Sequence, residues 1–148
     1  MIKILGCVLI LIASVVSGYY FEWSFKEKIQ FLENVVGLLN YIKKQIEFFS
    51  TPIKEIYSSY PDKSKHITDL IDGDLDDLRR KYKDLDFIFN YFQQAGKGYK
   101  SEQLKLCDYT INEAQACLNK LKEELPKKVK VIRSISLFLG ASIVILLI

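Results

Sequence analysis

The feature that most constrains this chain is an almost purely apolar segment at each of its two ends. Ile4–Phe21 contains no charged residue, and as a helix rising about 1.5 Å per residue it would span about 27 Å of hydrocarbon. Ile135–Ile148 would span only about 21 Å by the same rise, but it lengthens if the Arg133 side chain reaches out to the lipid headgroups. We therefore predict an N-terminal transmembrane helix over residues 1–22 and a C-terminal one over residues 129–148.

A cleaved secretory signal is the competing interpretation of the first segment. Lys3 provides a short positively charged start, and Val15–Gly18 offers small residues at which a signal peptidase could cut. The mature protein would then be exported and anchored in the membrane by its C-terminal helix alone. The intact mass of the mature protein would separate the two interpretations.

Positive charge is concentrated beside the C-terminal apolar segment. The formal net charge is only +3, but Lys127, Lys128, Lys130 and Arg133 lie close together. Such a cluster indicates an anionic membrane surface, so membrane lipids are a predicted partner. No basic stripe extends over the rest of the chain, which argues against nucleic acid as a partner. Because lysines and arginines mark the cytoplasmic side of membrane helices, we predict a multi-pass protein of the cell membrane with a cytoplasmic central domain.

The middle of the chain, residues 23–128, carries the periodicity of helices. Apolar residues recur at steps of three and four. On the first helix they form two neighbouring stripes, the second of which runs from Phe31 to Phe49, and such a pair of stripes is typical of a helix that contacts two others. The predicted helices are Phe25–Phe49, Thr51–Tyr60, a brief one around Ile67, Leu75–Phe92 and Ser101–Leu125. No stretch alternates with the two-residue period of a strand. The predicted fold class is all-α: a membrane-anchored antiparallel helical bundle with a transmembrane helix at each end.

Prolines and glycines set the predicted helix ends. Thr51 is the expected N-cap of the second helix, with Pro52 at its first position, and Pro126 is expected to end the last one. The Gly96-Lys97-Gly98 segment lacks the third glycine and the preceding strand of a dinucleotide-binding fingerprint, so it predicts a turn that ends a helix.

Small residues four apart occur in both apolar segments. Ser14 with Gly18, and Ser136 with Gly140, have the spacing that lets two membrane helices approach closely. We therefore predict that these four residues pack transmembrane helices together. Small residues are common in such helices, so incidental positions facing lipid are the alternative.

The middle domain carries no recognisable catalytic constellation. His66 is the only histidine, and no cysteine or serine pattern stands near it for nucleophilic catalysis. We therefore predict no enzyme activity, no catalytic residue, no cofactor and no metal. Asp72, Asp74, Asp76 and Asp77 resemble part of a calcium loop, but the required glycine and glutamate are missing. Stabilisation of a helix N-terminus explains these carboxylates, and a docking face for a basic partner is the alternative.

Four motifs carry a resemblance to a known family. They are Lys3–Gly6 with Gly18, the Ile46–Ile53 stretch containing Thr51-Pro52-Ile53, the Gly96–Gln103 turn, and the tail Arg133–Gly140 followed by Ile143–Ile148. In this order they resemble the stage III sporulation protein AB family, over both termini and most of the last third of the chain. That family is similar to the inner-membrane platform proteins of type II secretion and type IV pilus machines.

The resemblance implies a component of the secretion-like channel complex that links mother cell and forespore in endospore-forming bacteria. It implies that the bundle receives a cytoplasmic ATPase, that the contact is passed to other stage III sporulation channel subunits, and that the protein lies in the outer forespore membrane on the mother-cell side. The implied role is mechanical. A homo-oligomer is left open. An exported, C-terminally anchored surface protein and a small membrane-disrupting protein are the rival hypotheses.

Overall fold

In a computed structural model, the described residues, which are 2–62, 64–73 and 75–147, form helices joined by short connections. They contain no strand, so the all-α part of the predicted fold class is confirmed. The elements are α1 (Ile2–Lys44), a π-helical turn (Gln45–Phe49), α2 (Ile53–Ser59), α3 (Lys65–Asp72), α4 (Asp76–Lys81), a 3₁₀ turn (Lys83–Leu85), α5 (Asp86–Gln94) and α6 (Lys100–Leu147).

The chain divides into two compact units. The bundle unit is Gln30–Leu118, and the two-helix unit consists of Met1–Ile29 and Asn119–Ile148. Both α1 and α6 contribute residues to each unit. The division predicted from the sequence, into segments 1–22, 23–128 and 129–148, stays a prediction.

The core of the bundle unit is centred on the two apolar stripes of α1. Its buried α1 residues are Phe31, Leu32, Val35, Leu38, Leu39 and Ile42, and Ile46 of the following π-helical turn is buried as well. Phe31 stacks on Tyr82, which follows α4, with ring centroids 4.4 Å apart. The Cys107 thiol of α6 donates a hydrogen bond to the Leu39 carbonyl oxygen, with 3.4 Å between sulfur and oxygen. α1 therefore contacts two neighbouring segments, as its two stripes predict.

The end of α1 departs from a regular α-helix. After Lys44 the backbone widens into the π-helical turn, and the next residue, Ser50, adopts the left-handed conformation with φ 50° and ψ 33°. A π-helical turn holds more residues than an α-helical turn, so it shifts the side chains that follow around the axis. Ile46 remains buried, but Phe49, which its spacing assigns to the core, is exposed. The prediction that Phe49 lies in the core is therefore wrong.

The regular apolar spacing from Leu75 to Phe92 does not produce the single helix it predicts. The helix is interrupted at Tyr82, whose φ of −122° and ψ of 57° are not helical, and α5 begins only at Asp86. Leu75, Leu78, Tyr82, Leu85 and Phe89 are nevertheless all buried. The spacing thus predicts burial correctly and continuity wrongly, because tertiary packing outweighs local helix preference.

Two prolines also act differently from the prediction. α2 begins at Ile53 with Pro52 at its N-cap position, so the predicted cap by Thr51 is wrong; the Thr51 hydroxyl instead lies 3.4 Å from the Gln45 side-chain oxygen. α6 continues through Pro126, where we predicted its end. Pro126 is exposed, and as a proline it donates no backbone hydrogen bond within the helix.

In the two-helix unit, α1 and α6 run antiparallel. The Ser14 hydroxyl donates a hydrogen bond to the Ser136 carbonyl oxygen. A Cβ atom at Gly18 would lie 3.8 Å from Cγ of Arg133. The Lys128 ammonium lies 5.4 Å from the centre of the Phe25 ring. Later residues of α1 therefore meet earlier residues of α6.

The predicted membrane localisation is contradicted. Within the described residues, no helix combines the length and the apolarity needed to cross a membrane. The prediction of a multi-pass cell-membrane protein with a cytoplasmic central domain is thereby corrected. Within the two predicted spans, the side chains at positions 1–5, 7, 10, 11 and 146–148 lie outside the described residues.

Candidate functional site

Two segments that are distant in the sequence meet at one corner of the bundle unit. One is the π-helical turn with the start of α2, residues 45–53, and the other is the turn from α5 into α6, residues 96–103. A direct bond between Lys100 and Glu47 joins positions 53 residues apart. Both segments carry motifs on which the family resemblance rests. We call these residues together the aromatic corner.

Lys100 fastens the first segment. Its ammonium donates hydrogen bonds to the Glu47 carbonyl oxygen and to the Ser50 hydroxyl, each at 2.9 Å. Carbonyl groups in the last turn of a helix lack partners within the helix, so a lysine is a favourable donor there. Ser50 is the only non-glycine residue with a positive φ among the described residues, and such a backbone needs support from its surroundings. Lys100 provides part of that support.

The side-chain amide of Gln103 fastens the second segment. Its oxygen accepts a hydrogen bond from the Gly96 backbone N–H at 3.1 Å, and its nitrogen donates one to the Lys97 carbonyl oxygen. Gln103 is buried, and a buried amide is costly unless both of its ends are bonded. Glu102 adds a third bond by accepting from the Tyr99 backbone N–H at 3.3 Å. The first turn of α6 therefore holds the preceding loop.

Gly96 allows the two segments to approach closely. Its φ is +82°, and a Cβ atom there would lie 2.8 Å from Cγ2 of Ile53. Any other residue would meet both a conformational and a steric obstacle. The glycine is thus required by the contact between the turn and α2, and the predicted helix-ending role of the Gly96-Lys97-Gly98 segment is confirmed.

The fastened corner presents large aromatic side chains to solvent. Phe48 and Phe49 are each 72% exposed, and Tyr99 is 80% exposed. A cavity of about 170 Å³ lies in the same corner, lined in part by Ile46 and Ile53. Aromatic side chains on a fixed backbone beside an apolar cavity are suited to binding another protein.

Comparison with known proteins places the chain in a family. The model of the stage III sporulation protein AB family matches residues 3–71 and 62–148. The chain belongs to that family. It therefore has a role related to sporulation. No curated protein and no solved structure matches the chain.

Two of the four predicted docking aspartates of this sporulation protein, Asp72 and Asp76, line cavities of the bundle unit. One cavity, of about 380 Å³, has Asp62 and Asp72 in its lining; the other, of about 230 Å³, has Asp76. The two share Tyr57 and Ile71, and we call them together the acidic groove. Asp77 is exposed and pairs with Arg80 at 2.8 Å, and Asp74 lies outside the described residues.

The predicted membrane-surface residues of the AB-family chain differ in their surroundings. Arg133 forms an ion pair with Glu22 of α1, and Lys128 pairs with Glu124 at 2.5 Å. Lys127 and Lys130 are exposed. Contact with membrane lipids stays a prediction for all four.

The pKa of Glu22 reflects these pairings. The pKa of this carboxyl lies below its usual range because Lys26 and Arg133 donate hydrogen bonds to it, against a smaller opposing effect of desolvation.

The predicted helix-packing residues lie along the two-helix unit. Ser14, Gly18 and Ser136 line a cavity of about 170 Å³, and the first and last of these are hydrogen-bonded to each other. Gly18 and Gly140 are buried. These positions let α1 and α6 of one chain approach, and packing between transmembrane helices stays a prediction.

Three polar side chains lie deep in the bundle unit. Burial raises the pKa of Tyr57 to about 12, and it raises the pKa values of Tyr91 and of the Cys107 thiol as well. A thiol whose pKa is raised by burial is a poor nucleophile at neutral pH. Among the described residues, no group of three or more histidine, cysteine, aspartate or glutamate side chains is arranged to hold a metal ion.

Sequence reasoning missed the aromatic corner as a site. The motifs were recognised, but nothing in the sequence shows that residues 45–53 and 96–103 meet in space.

Proposed function

We propose that this protein is a non-enzymatic platform component of the channel complex between mother cell and forespore, and that its bundle unit couples a cytoplasmic ATPase to other channel subunits. Membership of the stage III sporulation protein AB family supports the role in sporulation. The observation that carries the finer proposal is the aromatic corner, which we propose as the surface that receives the ATPase.

The energetics of the corner favour a binding role. Exposed phenylalanine rings contribute little to the stability of their own chain, because they gain no burial there. In protein interfaces, by contrast, buried aromatic residues often contribute 2 kcal/mol or more each. The bonds from Lys100 and Gln103 fix the backbone beneath Phe48, Phe49 and Tyr99. A surface fixed in advance loses less conformational entropy on binding.

The chemistry of the described residues supports a mechanical role over a catalytic one. Catalysis by a nucleophile needs an activated group beside a base. The Cys107 thiol is buried with a raised pKa. His66, the only histidine, lies against the edge of the Phe31 ring, with centroids 5.9 Å apart. Neither side chain has the surroundings of a catalytic group.

The proposal is tested in sporulating cells with a Phe48→Ala/Phe49→Ala double variant. We expect recovery of the ATPase with the tagged full-length chain to fall at least tenfold, and heat-resistant spores to fall with it, since each ring is expected to contribute about 2 kcal/mol. The matched control is Tyr109→Ala, which removes an exposed aromatic ring of α6 outside the corner. Equal ATPase recovery from the double variant and the wild type would contradict the proposal.

A further inference from the structure

The acidic groove has the shape and chemistry of a docking surface for side chains. Its two cavities, of about 380 and 230 Å³, share Tyr57 and Ile71 in their linings. The Tyr57 hydroxyl oxygen is inaccessible to solvent and has no hydrogen-bond partner in the described part of the chain.

The residues around the groove carry a net negative charge, with Lys54 as the one lysine in the lining of the larger cavity. Residues 54–77 contain seven carboxylate side chains and three lysines. Asp72 and Asp76 are both exposed and lie on different cavities of the groove. A complementary partner therefore presents positive charge at more than one point along its length.

The chain itself carries such a positive surface. Lys120, Lys127 and Lys130 of α6 are exposed, and at seven and three residues apart they lie on one side of the helix. At about 1.5 Å per residue, the three lysines extend over about 15 Å. We call these three residues the basic face.

We propose that the acidic groove of one copy of this protein receives the basic face of a second copy. The described residues contain no strand, and a helix lying in a groove is a common mode of recognition that a helical chain can use. The lysine stems cover the apolar lining of the cavities while their ammonium groups meet the carboxylates. The groove and the face are different surfaces, so the contact is heterologous and can join copies into rings or open rows.

This inference concerns a surface other than the aromatic corner, so it stands or falls separately from the proposed function. The test uses two charge-reversed full-length variants. The groove variant is Asp72→Lys/Asp76→Lys, and the face variant is Lys127→Asp/Lys130→Asp. Each is purified in the same mild non-ionic detergent and measured by sedimentation velocity at low salt, where interactions between exposed charges are least screened.

The wild-type chain is expected to self-associate, and each variant alone is expected to raise the dissociation constant at least tenfold. An equimolar mixture of the two variants is expected to associate again, because lysines in the groove of one then meet aspartates on the face of the other. The matched control is Glu113→Lys, which reverses one exposed carboxylate of the bundle unit away from the groove. It is expected to leave association within twofold of the wild type.

Three outcomes would overturn the proposal. One is a wild-type chain that stays monomeric at a concentration about 100-fold above a micromolar dissociation constant. Another is a mixture of the two variants that does not associate although both retain the wild-type helical circular dichroism. A third is an equal loss of association in the Glu113→Lys control, which would indicate an effect of net charge and not of the groove.

Discussion

The contact between Gly96 and Ile53 allows a sharp test of how the aromatic corner is built. The structure provides an internal reference, because Gly73 has the same φ of +82° as Gly96. A Cβ atom added at Gly73 would have no neighbouring atom within 4 Å. An alanine in this left-handed conformation costs about 1–2 kcal/mol, of which about 0.4–1 kcal/mol is offset by the lower entropy of the unfolded chain. Gly73→Ala is therefore expected to lower the free energy of unfolding by about 1 kcal/mol.

Gly96→Ala is expected to cost more, because the added methyl would lie 2.8 Å from Cγ2 of Ile53. Overpacking of this kind adds about 1–3 kcal/mol, for a total of about 2–4 kcal/mol. The measurement is urea unfolding of the full chain followed by circular dichroism at 222 nm. In the double variant Gly96→Ala/Ile53→Ala the obstructing carbon is gone, so the two changes should couple favourably by at least about 1 kcal/mol. Equal destabilisation by Gly73→Ala and Gly96→Ala, with no coupling to Ile53, would refute this reasoning.

Three further predictions follow from buried or paired groups. Ile111→Asp should cost more than about 3 kcal/mol in thermal unfolding, because the carboxylate would lie in the core; an unchanged melting temperature would contradict the packing of α6. The lowered pKa of Glu22 arises from Lys26 first and then Arg133. The stabilisation of the folded chain by this carboxylate is therefore present above pH 4.5 and is lost as the pH falls through the lower folded-state pKa. Glu22→Gln should remove that part of the dependence of the unfolding free energy on acid pH, and an unchanged dependence would count against the pairing. Cys107 should react with iodoacetamide only after unfolding, since it is fully buried, and labelling of this thiol in the native protein, located by mass spectrometry, would show that the core opens.

The helices were predictable where apolar periodicity coincides with burial. The α1 stripes through Phe31, Leu38 and Ile42 are read directly from spacing, and so is the short α3 that ends before Gly73. Helix ends were less predictable. The π-helical turn, the break at Tyr82 and the passage of α6 through Pro126 all depend on which neighbour each backbone segment contacts, and a periodic pattern does not contain that information.

The candidate site was only half predictable. The two motifs and the aspartates can be read from the sequence. The aromatic corner, however, depends on a bond from Lys100 to the backbone of Glu47, which is remote in sequence, and on a bond from the Gly96 backbone N–H to Gln103 within the turn. The membrane localisation failed for a different reason. It was inferred from the two apolar segments and from the lysines and arginines beside them, whereas within the described residues no helix is both long and apolar enough to cross a membrane.

In the aromatic corner, the residues that hold the backbone in place differ from the residues whose aromatic rings are exposed. Lys100 and Gln103 act through bonds to backbone atoms, whereas Phe48, Phe49 and Tyr99 extend outwards with little contact to their own chain. The displayed rings can therefore be exchanged for other side chains while the scaffold keeps its shape. Relatives of this chain could in this way acquire new binding preferences through two or three substitutions, provided that the lysine and the glutamine are retained.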